Sequence, residues 1–243
     1  MKLSIIIPIY NEAPTAATLL DQILALNVEG VEKEIVIIES GSTDGTTAIV
    51  KRYEGREGMK VIYEDKPRGK GAAVRRGLSE ISGDVFVIQD ADLEYSVSDY
   101  PRLLKPLLTG EADIVFGSRA MDPNERWQYR RFRGLVEGLY GRVVNWGGLL
   151  YTHLFNLLYG TSLSDGATMF KLFRRRLIDG ITLRSDVFDY DWELQAKLAK
   201  RGYKFLEMPI AYKARTRAEG KKIRFWRDGW RVLVAIIRYR FVD

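Results

Sequence analysis

VFVIQDADLEYS, Val85 to Ser96, is an apolar run that leads directly into Asp90-Ala91-Asp92, with Glu94 two residues further on. A turn needs one Asp or Asn. Three acids on alternate positions at the end of an apolar strand imply that something positive is held there. Alternate residues of an extended segment point the same way, so Asp90, Asp92 and Glu94 are expected to converge. Hard carboxylate oxygens suit Mg²⁺ or Mn²⁺, which keep some waters and take further ligands from phosphate. An isolated Asp-x-Asp reads as a turn or a helix cap; its place at a strand end favours the metal.

Outward from this stretch, the first 118 residues alternate regularly. Strand-like runs occupy 3–9, 34–39, 59–64, 84–89 and 112–118, with helical patterns around 15–26, 44–54, 70–81 and 98–108. Continuous apolar strands with helical spacers predict an α/β fold, a mostly parallel sheet with helices on both faces. Ligands on such sheets bind beyond the carboxyl ends of the strands. Tyr10-Asn11-Glu12, Glu39-Ser40-Gly41-Ser42 and Asp90-Ala91-Asp92 all fall at those ends. Parallel strands bring them to one rim. After residue 119 the rhythm changes. Residues 120–160 are aromatic, Arg-rich and predicted helical; 165–173 and 203–212 read as strands around a helix near 190–201; a last helix covers 223–240. No Pro, Gly or Ser linker and no repeat interrupts the chain. The expectation is one domain over 1–243, a sheet-forming part at 1–119 followed by a helical C-terminal elaboration at 120–243.

The 243 residues, 46% hydrophobic, are enough for a sizeable core. With no Cys, disulfides and thiolate metal sites are excluded, and a single His, His153, excludes a His-based zinc site. The start runs straight into LSIIIPIY, so no signal peptide is read, and no window reaches the ~18 apolar residues of a membrane span. The net charge of +6 is concentrated in two basic stretches, 126–142 and 213–243, on an otherwise slightly acidic body. Such stretches attract phosphates or are simply solvated faces. No P-loop occurs, and Gly69-Lys70-Gly71 lacks the third glycine of a dinucleotide fingerprint. WGGLLYTHLFNLLYG (146–160) reads as core packing or as a lipid-facing surface. In the last helix Trp226, Trp230, Leu233, Ile237 and Phe241 share an arc beside Arg227, Arg231 and Arg238. That pattern suits packing on the sheet or a bilayer interface.

SIIIPIYNE, ESGSTDGT, GKGAAVRRG, DVFVIQDADLEY and DIVFGSR follow one another in that order. Together they resemble glycosyltransferase family 2 with the GT-A fold. DGATMFKLFRR, FDYDWELQAKLAKRGYK and YKARTRAEGKKI are similar to its dolichyl-phosphate mannose synthase branch. The resemblance implies a nucleotide-sugar donor, GDP- or UDP-linked, a Mg²⁺ or Mn²⁺ ion, and inversion at the anomeric carbon. It makes 1–119 the donor-binding half and 120–243 the acceptor-binding half. Carried over by motif, Pro8, Tyr10 and Glu12 frame the base and ribose, and Ile38 and Ser40 border the base. Asp90 and Asp92 hold the metal on the diphosphate, with Ala91 and Glu94 beside them. Arg119 sits near the reacting phosphates, and Arg217 and Lys221 come from a mobile loop over the donor. This chain departs from the family at Glu39-Ser40, where two Asp are usual, which leaves the base open. Some members carry a transmembrane tail and others do not; no such segment is read in these residues.

The acceptor decides whether a base is required. A sugar hydroxyl needs a carboxylate to take its proton, whereas a lipid phosphate is already anionic and needs cations. Asp191 and Glu193 are the candidate bases, and Arg130, Arg131 and Arg133 the candidate acceptor-phosphate ligands. Asp165 either orients the acceptor or caps a turn. The leading expectation is a metal-dependent transferase acting on polyprenyl phosphate. A saccharide acceptor in cell-wall or surface polysaccharide synthesis is the alternative; a sugar nucleotidyltransferase or a non-enzymatic nucleotide-binding module is weaker. Expected partners are the donor, the acceptor and an anionic membrane surface, not nucleic acid, in the cytoplasm or peripherally on its membrane face.

Overall fold

The computed structural model describes residues 1–121, 135–215 and 225–243, with 135–140 and 225–226 described by backbone alone. The five apolar runs become strands β1 Lys2–Ile9, β2 Glu32–Glu39, β3 Met59–Tyr63, β4 Val85–Ile88 and β5 Ile114–Ser118. Between them lie α1 Ala13–Ala25, α2 Thr46–Lys51, α3 Lys70–Leu78 and α4 Tyr100–Thr109. The second half adds α5 Leu135–Tyr159, β6 Lys171–Arg174, α6 Tyr190–Lys200, β7 Leu206–Pro209 and α7 Phe225–Phe241.

Period-2 alternation sorts each strand's side chains into two cores. Leu3, Ile5, Ile7, Ile35, Ile37, Val85 and Val87 face one side and pack on Leu19, Leu20 and Ile23 of α1 and Leu103, Leu104 and Leu107 of α4. Ile6, Val36, Ile38, Phe86 and Ile88 face the other, against Ala73 and Val74 of α3, Leu194 and Leu198 of α6, and Ile236 of α7. Burial on both faces is why these strands read as continuous apolar runs. At roughly 1.5–3 kcal/mol per buried aliphatic side chain, the two cores supply the main driving force for folding.

The sheet order is β3-β2-β1-β4-β6-β5-β7. β1 pairs in parallel with β2 and β4, β2 with β3, and β5 with β7. The expected mostly parallel sheet is found, with one exception: β6 is inserted between β4 and β5 and runs antiparallel to both. Phe173 fixes the insertion, stacking on Phe86 at 5.1 Å and meeting Phe116 edge-on at 6.1 Å. The predicted strands 165–173 and 203–212 shrink to Lys171–Arg174 and Leu206–Pro209. Because β6 is reversed, the loop leading into it, residues 165–170, lies at the same rim as the carboxyl ends of β4 and β5. That reversal brings the second half of the chain to the acidic motif.

Candidate active site at the carboxyl rim

The chain leaves β1 through Asn11, which is held at φ 49°, a conformation rare outside glycine. Asn11 is stitched to the turn after β2: its N–H donates to Ser42 Oγ at 3.0 Å, and its Oδ1 accepts from Thr43 N at 2.8 Å. Glu12 N donates to Thr46 Oγ1 at 2.9 Å. Glu39 turns back on its own loop and accepts from Gly41 and Ser42 N–H groups. Ser40 Oγ donates to Glu64 Oε2 at 2.7 Å. The first two rim clusters are therefore one hydrogen-bonded unit. Tyr10 is exposed there, and Pro8 pairs in register with Ile38. The Ile38 side chain is fully buried and faces the core on the α3 side rather than the rim.

At the end of β4 the expected alternation breaks. Leu93 adopts φ 59°, so the segment is not extended between Asp92 and Glu94. Ala91 is buried, and Asp90 pairs with Lys70. Lys70 opens α3, and the glycines on either side of it make that position possible. Gly69 has φ +107°, and a Cβ on Gly69 or Gly71 would run into the backbone of Ser185 and Asp186. Asp92 Oδ1 accepts from Glu94 N at 3.1 Å, and its Oδ2 accepts from Arg215 Nη2 at 3.1 Å. Glu94 turns to the segment after β7, accepting from Tyr212 Oη at 2.5 Å and from Arg215 N at 2.7 Å. Arg215 also forks onto Glu12, with Nη1 to Oε2 at 2.8 Å and Nη2 to Oε1 at 3.2 Å.

Carboxylates following β1 and β4 thus meet on a guanidinium following β7. Among the described residues Glu12, Asp90, Asp92 and Glu94 face Lys70 and Arg215. Burial, and next the charges of Asp90 and Glu94, push the Asp92 carboxyl up to about 7. Among the described residues no three acidic or His side chains gather as metal ligands. Leu93 turns the chain so that the Glu94 carboxylate meets Tyr212 and Arg215 while its charge still acts on Asp92. Asp90 and Asp92 fit a Mg²⁺ or Mn²⁺ that draws its other ligands from a diphosphate and water. They do not make a site of protein ligands alone.

A second group of charges lies deeper at the rim. Arg119, just past β5, forms a bidentate pair with Asp165 at 2.7 Å through both Nε and Nη2. Its Nη1 reaches Tyr95 Oη at 3.4 Å, and its guanidinium lies 5.0 Å over the Tyr212 ring. Burial works against the charged Asp165, but the Arg119 charge and hydrogen bonds outweigh it and hold the carboxyl below its ordinary range. Asp165, read from sequence as orienting the acceptor or capping a turn, is engaged by the backbone and guanidinium of Arg119. Asp191 Oδ2 accepts from Lys171 and from Gln195 Nε2. Burial pushes Asp191 up and Lys171 down, favouring the neutral form of each against their mutual attraction. Glu193 lies apart, accepting from Arg184 N, Ser185 N and Lys197 Nζ. It is a structural cap for that loop.

Arg130, Arg131, Arg133, Arg217 and Lys221 lie outside the described residues. Sequence reasoning passed over Arg215, Lys70 and Lys171. Lys70 was legible in principle, since the first helical residue after a parallel strand lies near the rim. Arg215 was one of ten bases in a basic stretch, with nothing local to single it out.

Residues 4–182 match the family model described as Glycosyl transferase family 2. The chain is similar to dolichol-phosphate mannosyltransferase of Pyrococcus furiosus, 30% identical over 91% of this chain and 59% of that protein. It is also similar to undecaprenyl-phosphate 4-deoxy-4-formamido-L-arabinose transferase of Edwardsiella ictaluri, 28% identical over 90% of this chain and 62% of that one. The chain thus spans about three-fifths of the length of these curated relatives. Among solved structures it resembles glucosyl-3-phosphoglycerate synthase of Mycobacterium tuberculosis in complex with Mn²⁺, UDP and phosphoglyceric acid. The TM-score is 0.70 at 21% identity, over 100% of this chain and 79% of that one, a likeness of fold.

Proposed function

The chain belongs to glycosyl transferase family 2, and from that membership we propose that it moves a sugar from a nucleotide-sugar donor to a polyprenyl phosphate. The observation that carries the donor side is the meeting of Glu12 and Asp92 on Arg215 at the carboxyl edge of the sheet. The acceptor side rests on relatives whose names specify polyprenyl-phosphate acceptors.

In this reading Pro8, Tyr10, Glu12 and Ser40 frame the nucleoside, and Asp90 and Asp92 hold Mg²⁺ or Mn²⁺ against the diphosphate. The ion would offset charge on the departing nucleoside diphosphate. The bond from the anomeric carbon to the donor phosphate oxygen breaks, and one to the acceptor phosphate oxygen forms on the opposite face of the sugar. No proton has to be removed, because the attacking oxygen is already anionic. Arg119, held by Asp165, is a preorganised cation that needs no reorganisation when charge develops. The acceptor phosphate is assigned to Arg131 and its neighbours Arg130 and Arg133, and the donor loop to Arg217 and Lys221. Asp191, already accepting from Lys171 and Gln195, suits a pairing role better than that of a base awaiting a hydroxyl proton.

A membrane-bound acceptor needs a membrane-facing surface. Val143, Trp146, Leu150 and Leu157 are exposed at helical spacing along α5, and Trp230, Val234, Ile237 and Phe241 along α7. The two helices pack together, with Tyr159 Oη donating to Ile236 O at 2.9 Å. Arg142, Arg227, Arg231 and Arg238 are exposed on the same helices. Exposed Trp and Leu flanked by Arg suit the headgroup region of an anionic bilayer. Among the described residues no helix is long and apolar enough to cross a membrane.

The test is a panel of nucleotide-sugars with Mn²⁺ and a short polyprenyl phosphate, reading released nucleoside diphosphate. Lipid-dependent release is expected. Release that ignores the lipid and requires a saccharide would give first place to the saccharide acceptor.

A further inference from the structure

Arg215 is itself a cation seated against two of the rim carboxylates. Its side chain is only 16% exposed, and its fork is divided between Glu12 and Asp92. Both oxygens of Asp92 are engaged, one by its own turn and one by the arginine. A metal ion taking up Oδ2 would bring its charge against the guanidinium, so the two cations compete for Asp92. We propose that Arg215 is a built-in competitor for the divalent cation: it holds Asp92 in the resting protein and must release it before metal is bound there. The proposal rests on the reading of Asp92 as a metal-binding residue.

Three features make the exchange reversible rather than disruptive. First, Arg215 can keep Glu12 through Nη1 when Nη2 leaves Asp92, so the guanidinium stays in the site. Second, its backbone is anchored independently of its side chain. Arg215 N donates to Glu94 Oε1, Lys213 N donates to Glu94 O, and Tyr95 and Tyr212 form a β-bridge. Third, the resting position is imperfect, because Nε is buried without a hydrogen-bond acceptor, 3.9 Å from Glu94 Oε1. A buried donor left unsatisfied weakens that position, so its release costs less than breaking a fully satisfied pair.

The consequence is a threshold. Free metal competes with a tethered guanidinium, whereas metal arriving with a diphosphate gives Nη2 a new anionic partner. A planar fork is required for this, since a lysine ammonium is a single point of charge and does not span Glu12 and Asp92 in the same way.

The experiment titrates Mn²⁺ alone into the full chain, without nucleotide, and reads free Mn²⁺ by electron paramagnetic resonance. Wild type, Arg215→Gln, Arg215→Lys, Asp92→Asn and the Arg215→Gln/Asp92→Asn double variant are compared, each checked for folding by circular dichroism. Arg215→Gln is expected to bind Mn²⁺ about tenfold more tightly than wild type, a usual size for coupling between linked sites. Arg215→Lys should gain less. A merely structural arginine gives the opposite result: equal or weaker binding in folded Arg215→Gln, with binding still abolished by Asp92→Asn, overturns the competitor and leaves the metal assignment standing. Mn²⁺ binding that survives Asp92→Asn in both backgrounds overturns the metal assignment and the proposal together. Should Arg215→Gln not fold, Arg215→Lys carries the comparison, and affinity at or below wild type rejects the proposal.

Discussion

Arg119 and Asp165, 46 residues apart in the chain, meet in a bidentate ion pair with both side chains 4% exposed. The pair joins the end of β5 to the loop that enters β6, and that loop is itself held by Glu207 of β7, which accepts from Ser164 and Asp165 N–H groups. The antiparallel strand and the fixed cation are therefore two results of one chain path.

Removing one partner of this pair strands a buried charge. Asp165→Ala is expected to lower unfolding stability by about 3–5 kcal/mol, the usual cost of breaking a buried pair from one side. Urea denaturation of both proteins measures it, and a loss below about 1 kcal/mol would show that solvent screens the pair after all.

Asp165 also sets an acid limb to stability. Its folded carboxyl titrates below the ordinary range, so its contribution is complete above the unfolded value near ~3.9. It is lost as pH falls from there through the folded value, where the native state must take up the proton. The stability of Asp165→Asn should therefore fall less steeply below pH ~4 than that of wild type. Parallel acid limbs for the two proteins would contradict the assignment.

Metal dependence should reside in the rim aspartates. Chelation by EDTA, or Asp92→Ala, is expected to abolish sugar transfer while circular dichroism stays native. Full turnover in metal-free buffer would falsify the role given to Asp90 and Asp92.

The exposed apolar face of α5 and α7 should bind vesicles. Liposomes containing anionic lipid are expected to sediment the protein at low salt and release part of it as salt rises, because surface charge is screened within ~8 Å at physiological ionic strength. Trp230→Glu together with Leu150→Glu should abolish sedimentation. Binding that persists in the double variant would move the contact elsewhere on the molecule.

Asp191 and Arg131 separate the two acceptors. With a lipid phosphate, Asp191→Asn should cost stability, because it leaves Lys171 buried and unpaired, yet lower kcat/KM of the folded fraction less than Arg131→Ala does. With a saccharide acceptor the lost base costs ~10²–10⁴-fold and the order reverses. Both variants are assayed on the same lipid after nucleotide binding has been confirmed.

Local pattern was sufficient for the first five strands, their spacer helices and the placement of Asp90 and Asp92 at a strand end. Each of these depends on residues a few positions apart, and hydrophobic alternation reports them directly. Departures from that pattern arose where distant segments meet. An apolar run such as KLFR carries no mark of its direction, so the reversed β6 and its wedge between Phe86 and Phe116 emerge only from packing. The left-handed turn at Leu93, which sends the Glu94 carboxylate to Tyr212, has no mark in the sequence either. The exposed faces of α5 and α7 could not be told from core, because amphipathic spacing does not say which side the sheet will cover.

What the sequence determined by itself is the kind of rim this protein has: parallel strands ending in carboxylates, which follows from short-range periodicity and backbone geometry. What only the tertiary structure decided is which cations those carboxylates face. Arg215 is one base in a basic run, Lys70 one residue between two glycines, and Arg119 the end of a strand motif. Coulomb attraction and desolvation act over a few ångströms, so their partners are chosen by the path of the folded chain and not by their order along it.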